Sequence, residues 1–195
     1  MRLLYFSLGL LLGLMILPVY RKVERKKWIK FQQDLEYRMN HDSLTGIYNR
    51  DFFESECTVL NEDTNSSVAI LVCDLDDLKV TNDTYGHKQG DELIKNAAWV
   101  LHDFSSENIT VARLGGDEFV LLVTETTKGE AKQLVSQILN SIHEYNARLS
   151  NIEIKLSIGF AFTQNSLGQM TKLFAQADQN MYSNKNERKL LTCVK

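Results

Sequence analysis

Two clusters of carboxylates sit where the chain should run out of a strand. The apolar, β-rich run Ser67–Cys73 (SVAILVC) is followed at once by Asp74-Leu75-Asp76-Asp77. Leu114-Gly115-Gly116-Asp117-Glu118 lies between two further strand-like runs, Ile109–Arg113 and Phe119–Val123, and a Gly-Gly pair in so short a gap is a hairpin signal. If these strands are neighbours, the acids converge at one rim of a sheet. Carboxylates that close repel unless a divalent cation joins them, and hard oxygen ligands favour Mg²⁺ or Mn²⁺. Such a rim suits metal-assisted phosphoryl transfer on nucleoside triphosphates. The spacing is equally compatible with Asp76 and Asp77 capping a loop and the hairpin acids being solvated.

The elements that would position these acids follow from periodicity. Residues 44–60 carry Leu44, Ile47, Tyr48, Phe52 and Phe53 at helical spacing, with Asp42 or Ser43 as the cap. Helices are predicted over 90–103, 128–148 and 170–184, a strand over 152–162, and a short edge strand over 190–194. The order α-β-α-β-β-α-β-α-β, with hairpin-connected strands, predicts an α+β fold: an antiparallel-rich central sheet flanked by helices. No internal repeat is visible.

At 195 residues, with 44% hydrophobic and 24% charged residues, ten Gly and one Pro, the chain can bury one domain of about 150 residues and carry an appendage. Three widely spaced cysteines without a CxxC exclude a disulfide scaffold, argue against a zinc ribbon and suit a reducing compartment. The net charge of −3 is unevenly spread: residues 1–40 hold eight Lys/Arg against three Asp/Glu, the rest 14 against 22. A nucleic-acid binder would be basic throughout, so no nucleic-acid partner is expected.

The appendage begins with an uncharged run, Leu3–Tyr20, followed by RKVERKK. As a helix it would span about 27 Å, close to the hydrocarbon thickness of a bilayer. The basic flank predicts one transmembrane helix over 1–20 with its C-terminal side in the cytoplasm. A cleaved signal peptide fits less well, because the basic cluster lies on the wrong side and Pro-Val-Tyr is a poor cleavage site. Residues 21–41 read as a juxtamembrane helical linker with Trp28, Phe31, Leu35 and Met39 at steps of three and four. It would either lie on lipid or pair as a two-stranded stalk, and the sequence leaves both open.

Five segments together resemble one known family. RLGGDEF (Arg113–Phe119) is similar to the signature of the GGDEF diguanylate cyclases. DSLTGIYNR (Asp42–Arg50), CDLDDLKVTNDTYGHKQGDELI (Cys73–Ile94), SIGFA (Ser157–Ala161) and ADQNMYSNK (Ala177–Lys185) resemble its other motifs, in family order and spacing. The resemblance covers residues 42–195. It implies a fold like a polymerase palm or nucleotidyl cyclase. It also implies a reaction in which two domains, each holding one GTP, form cyclic di-GMP with loss of two pyrophosphates. A membrane-anchored homodimer at a bacterial inner membrane, with the domain in the cytoplasm, would follow.

Carried over residue by residue, the resemblance assigns Asp74, Asp117 and the backbone carbonyl of Leu75 to Mg²⁺ or Mn²⁺, with Glu118 as a further metal or hydrogen-bonding ligand. Asp117 is also the implied proton acceptor from the ribose 3′-hydroxyl. Lys79 maps to a transition-state lysine, and the backbone around Asp77 and Leu78 to a phosphate cradle. Lys185 maps to a second phosphate lysine. Lys189 stands at the position of a family Arg, with Arg188 where Gly is usual, so either could reach phosphate. Asn82 and Asp91 map to guanine readers and His87 to a pocket position. Arg113 is expected to support the hairpin. The other histidines and the cysteines are expected to be structural. Many relatives carry an Arg-x-x-Asp that binds product, and here those positions are Ser106 and Ile109, which predicts no tight product inhibition through that surface. Two alternatives remain: a GTP-binding domain that no longer turns over, and a single-nucleotide cyclase. The complete acid set disfavours the first, and the guanine-reading pair and the family spacing disfavour the second.

Overall fold

The computed structural model describes the backbone of residues 2–149 and 152–193, and the side chains of residues 20–148 and 152–187 except Val23. The chain divides into two units, Met1–Met39 and Asn40–Lys195. The first is a helix, α1 (Arg2–Asn40). Its described aromatic and aliphatic residues Trp28, Phe31, Leu35 and Met39 are all exposed. Of the predicted membrane span, only the side chain of Tyr20 lies among the described residues, and it is exposed. Among the described residues, no helix is long and apolar enough to cross a membrane.

The second unit holds one four-stranded antiparallel sheet in the order β2-β3-β1-β4. Its elements run α2 (Arg50–Glu62), β1 (Val68–Leu75), α3 (Leu78–Tyr85), α4 (His87–His102), β2 (Ile109–Gly115), β3 (Glu118–Thr124), α5 (Lys128–Leu149), β4 (Leu156–Thr163) and α6 (Met170–Cys193). β1 is buried along its whole length because helices cover both faces. Ala69, Leu71 and Cys73 join Leu93, Leu101 and Ile138 from α4 and α5. The alternate residues Val68, Ile70 and Val72 join Phe53, Leu173 and Met181 from α2 and α6. The two-residue period of a strand sorts these sets to opposite faces.

Four boundaries differ from the sequence expectation. Residues 42–49 form a turn, and α2 starts at Arg50. The Asp42 carboxylate takes the Thr45 N–H and hydroxyl at 2.9 and 2.7 Å, and Gly46 adopts φ +75°, which stops a helix there. Asn49 then caps α2, its side chain accepting from the Phe52 N–H at 3.0 Å. A short helix, α3, which the sequence reading lacks, precedes α4, and Gly86 at φ +86° separates the two. β4 begins at Leu156 rather than Ile152, because the Asn146 amide captures both the N–H and the carbonyl of Ile154, at 2.9 and 2.8 Å. No strand forms over 190–193, where α6 continues to Cys193.

Candidate active site

The acids do converge. Asp74 lies opposite Glu118 in the β1–β3 ladder and opposite Ser157 in the β1–β4 ladder. The Leu75 N–H donates to the Asp117 carbonyl at 2.8 Å, so the end of β1 is joined to the hairpin tip. The hairpin turns through Gly115 at φ +139° and Gly116 at φ +54°; a Cβ at either would meet nothing within 4 Å. Glycine is therefore required by backbone conformation, and the space beside the turn is open.

Two arginines hold this turn. Arg113 donates to the Gly116 carbonyl through Nε (3.2 Å) and its second terminal nitrogen (2.8 Å), and its first reaches Asp42 at 3.0 Å. The hairpin-supporting role expected for Arg113 is what the geometry provides. Burial opposes the charge on Asp42, but the bonds from Thr45 and Arg113 outweigh it and hold its pKa below the ordinary 3.8. Arg50 was missed by sequence reasoning. The β2–β3 register shifts between Arg113 and Gly115, leaving Leu114 out of the ladder, and Arg50 Nε donates to its carbonyl at 2.9 Å. Another Arg50 nitrogen lies 4.0 Å from Glu118. The sequence signal was its place as the last residue of the motif DSLTGIYNR.

Lys185, from α6, donates to the Asp74 carboxylate and stands 3.8 Å from Asp76. Burial alone would lower its pKa, but the bond and charge of Asp74, with the charges of Asp76 and Asp117, raise it above the ordinary 10.5. Asp76 was not singled out as a site residue, yet the buried Ser157 hydroxyl donates to its two oxygens at 3.0 and 2.9 Å. Asp77 takes a left-handed φ of +62° at the start of α3 with no side-chain cap, which leaves the first N–H groups of the helix to an anion. Leu78 begins that helix and packs against the core. Lys79 is exposed on its first turn, and Lys155 pairs with Asp77 at 3.3 Å.

Asn82 lies against α4 at Gly90, where a Cβ would come within 1.9 Å of its amide oxygen. That places Asn82 beside the helix turn carrying Asp91, which is exposed, as is His87 at the head of α4. Arg188 and Lys189 have side chains outside those described. Cys57 and Cys73 have thiols pushed up to about 12, in both cases chiefly by burial, which removes them as nucleophiles at neutral pH.

Among the described residues, no three His, Cys, Asp or Glu converge as a closed metal cage. The donor set nonetheless fits a cation such as Mg²⁺, which takes one or two carboxylates and completes its shell with phosphate oxygens and water. Asp74 and its neighbours already gather one cation, the Lys185 ammonium.

Comparison with known proteins accords with this geometry. The profile of the diguanylate cyclase GGDEF domain matches residues 39–190, and the chain belongs to that family. It is 35% identical over 153 residues to the diguanylate cyclase DgcN of Escherichia coli K12, covering 76% of this chain and 37% of DgcN. It is 29% identical over 165 residues to the cyclic di-GMP phosphodiesterase PdeR of the same organism, covering 84% of this chain and 25% of PdeR. The chain thus spans well under half of these relatives. The coiled coil and GGDEF domain of DgcB from Caulobacter crescentus, solved with c-di-GMP, superposes with a TM-score of 0.75 at 23% identity, covering 90% of this chain and 95% of that one. That likeness speaks for the fold.

Proposed function

We propose that the chain is a diguanylate cyclase that condenses two GTP into cyclic di-GMP with release of two pyrophosphates. Family membership alone does not choose the reaction, since a phosphodiesterase is among the relatives. The observation that carries the reading is the convergence of Asp74, Asp117 and Glu118 at one rim, with Lys185 among them.

In this reading Asp74, Asp117, Glu118 and the Leu75 carbonyl hold Mg²⁺ or Mn²⁺. When bound, the cation supplies positive charge that offsets what develops on the departing pyrophosphate. The uncapped N–H groups after Asp77, from Leu78 onward, receive phosphate, with Lys79, Lys185 and Lys189 or Arg188 adding charge. Asn82 and Asp91 read guanine: a carboxylate accepts from N1–H and the exocyclic amine, which adenine does not offer as a pair. His87 borders that pocket. Asp117 accepts the proton of the attacking 3′-hydroxyl.

One domain holds one nucleotide, so closing the ring takes two chains, and a homodimer is part of the proposal. So is the layout of 1–20 as a membrane helix, 21–41 as a linker and 42–195 as the catalytic domain. Support comes from the uncharged run before RKVERKK, whose basic flank favours the cytoplasmic side for the domain, in this reading that of a bacterial inner membrane. Ser106 and Ile109 close a tight turn through two backbone bonds of 3.1 and 3.3 Å and present no charge for product. Control of output then falls to expression, membrane input or a partner.

The test is to incubate the full chain with GTP and Mg²⁺ and identify the product. Cyclic di-GMP is expected. A folded chain that binds GTP and makes none would leave only a binding function.

A further inference from the structure

One ammonium, that of Lys185, faces three carboxylates at the rim. Its stem is fixed. Gly159 lets α6 lie directly on β4, where a Cβ would come within 2.0 Å of the Met181 nitrogen, and Asn184 donates to the Ile158 carbonyl at 2.8 Å. Its charged end sits on a flexible four-carbon chain and is about one-fifth exposed.

The two carboxylates it touches are held differently. Asp74, at the end of β1, is the acid that the proposed function gives to the metal. Asp76 is anchored from below by Ser157, which has no exposed surface, and by its own N–H to the Lys155 carbonyl at 2.8 Å. It lies two residues beyond Asp74, in the turn just past the end of β1, within reach of the same ammonium. The ammonium has three donors, and one suffices for Asp74.

We propose that Lys185 is the resident counter-ion of Asp74, and that Asp76, anchored by Ser157, is the positioning residue to which its ammonium moves when a divalent cation takes Asp74. Lysine and metal compete for one carboxylate. The second seat keeps the lysine at the rim, where nucleotide phosphate can receive it. The chain without nucleotide then binds metal weakly, and nucleotide relieves the competition. This inference rests on the reading of Asp74 as a metal ligand.

The test is calorimetric titration of Mn²⁺ into the full chain without nucleotide, with circular dichroism to verify folding. Lys185→Ala should tighten Mn²⁺ binding about two- to fivefold, the upper part of the range expected for freeing a carboxylate from one ion pair. Ser157→Ala changes no charge. It should weaken Mn²⁺ binding when Lys185 is present and have no effect when Lys185 is also Ala. Asp76→Asn should cost more with Lys185 than without it.

Unchanged, weaker or unmeasurable binding by folded Lys185→Ala would overturn the proposal, as would equal costs of the Ser157 and Asp76 substitutions in both backgrounds. Asp74→Ala separates the two levels. If it leaves Mn²⁺ binding intact, the metal reading itself fails. If it abolishes binding while Lys185→Ala brings no gain, only the counter-ion role fails.

Discussion

Leu75 and Asp117 are joined by a backbone hydrogen bond of 2.8 Å, from the Leu75 N–H to the Asp117 carbonyl. This bond ties the last residue of the central strand to the tip of a hairpin 42 positions further along. It fixes the spacing of an acid near a strand end, Asp74, and one in a hairpin turn, Asp117, so the rim is set by backbone rather than by side-chain choice.

Because the Asp117 backbone makes that bond, its side chain can be removed with the turn intact. Asp117→Ala should lower turnover by at least about 10³, since losing a charge-stabilising ligand forfeits several kcal/mol at the transition state. Thermal unfolding should change little. Near-normal synthesis by a folded Asp117→Ala chain would contradict its assignment.

Arg50→Ala should remove the Arg50 donor from the Leu114 carbonyl and a cation 4.0 Å from Glu118. A stability loss of about 1 kcal/mol and a larger fall in kcat than rise in KM are expected. Arg50→Lys should restore only part, because one ammonium cannot copy a guanidinium fork. Chemical denaturation and steady-state kinetics on both variants check this, and full rescue by Lys would argue for charge alone.

Gly90→Ala should press a methyl group onto the Asn82 amide, which stands 1.9 Å from the Cβ position. The affected property is guanine recognition: KM for GTP should rise about tenfold or more with kcat less altered, and preference over ATP should narrow. Parallel GTP and ATP kinetics provide the measurement.

The Asp42–Arg113 pair makes stability depend on acid. Asp42 has its folded pKa below the ordinary 3.8, so its contribution is complete above that value and is lost as pH falls through the folded pKa. Asp42→Asn should be less stable than the parent at neutral pH, and the difference should shrink toward low pH. Denaturant midpoints at pH 7, 5 and 3 test the sign, and a gap that widens on acidification would contradict it.

The sheet was legible because β1 is apolar on both faces and the Gly-Gly pair marks its partner hairpin. α3 was not, because Thr81 is its one buried residue and Val80 points out, so no apolar stripe announces it. Residues 44–48 carried helical spacing, yet Asp42 and Gly46 close a turn there, local bonding prevailing over periodicity. At the rim, Asp74, Asp117, Glu118 and Lys185 could be named from motifs. Asp76 with Ser157 and Arg50 with Leu114 could not, because those bonds join residues 81 and 64 positions apart. Only the strand register and the bulge bring them together.

The proposed reaction is a two-nucleotide condensation between two chains. It is tested most directly by measuring pyrophosphate and cyclic nucleotide together while chain concentration is varied. Two pyrophosphates per cyclic di-GMP are expected, with activity per chain rising with concentration until the dimer saturates. One pyrophosphate per single-nucleotide product, at a rate strictly proportional to a monomeric chain, would contradict it.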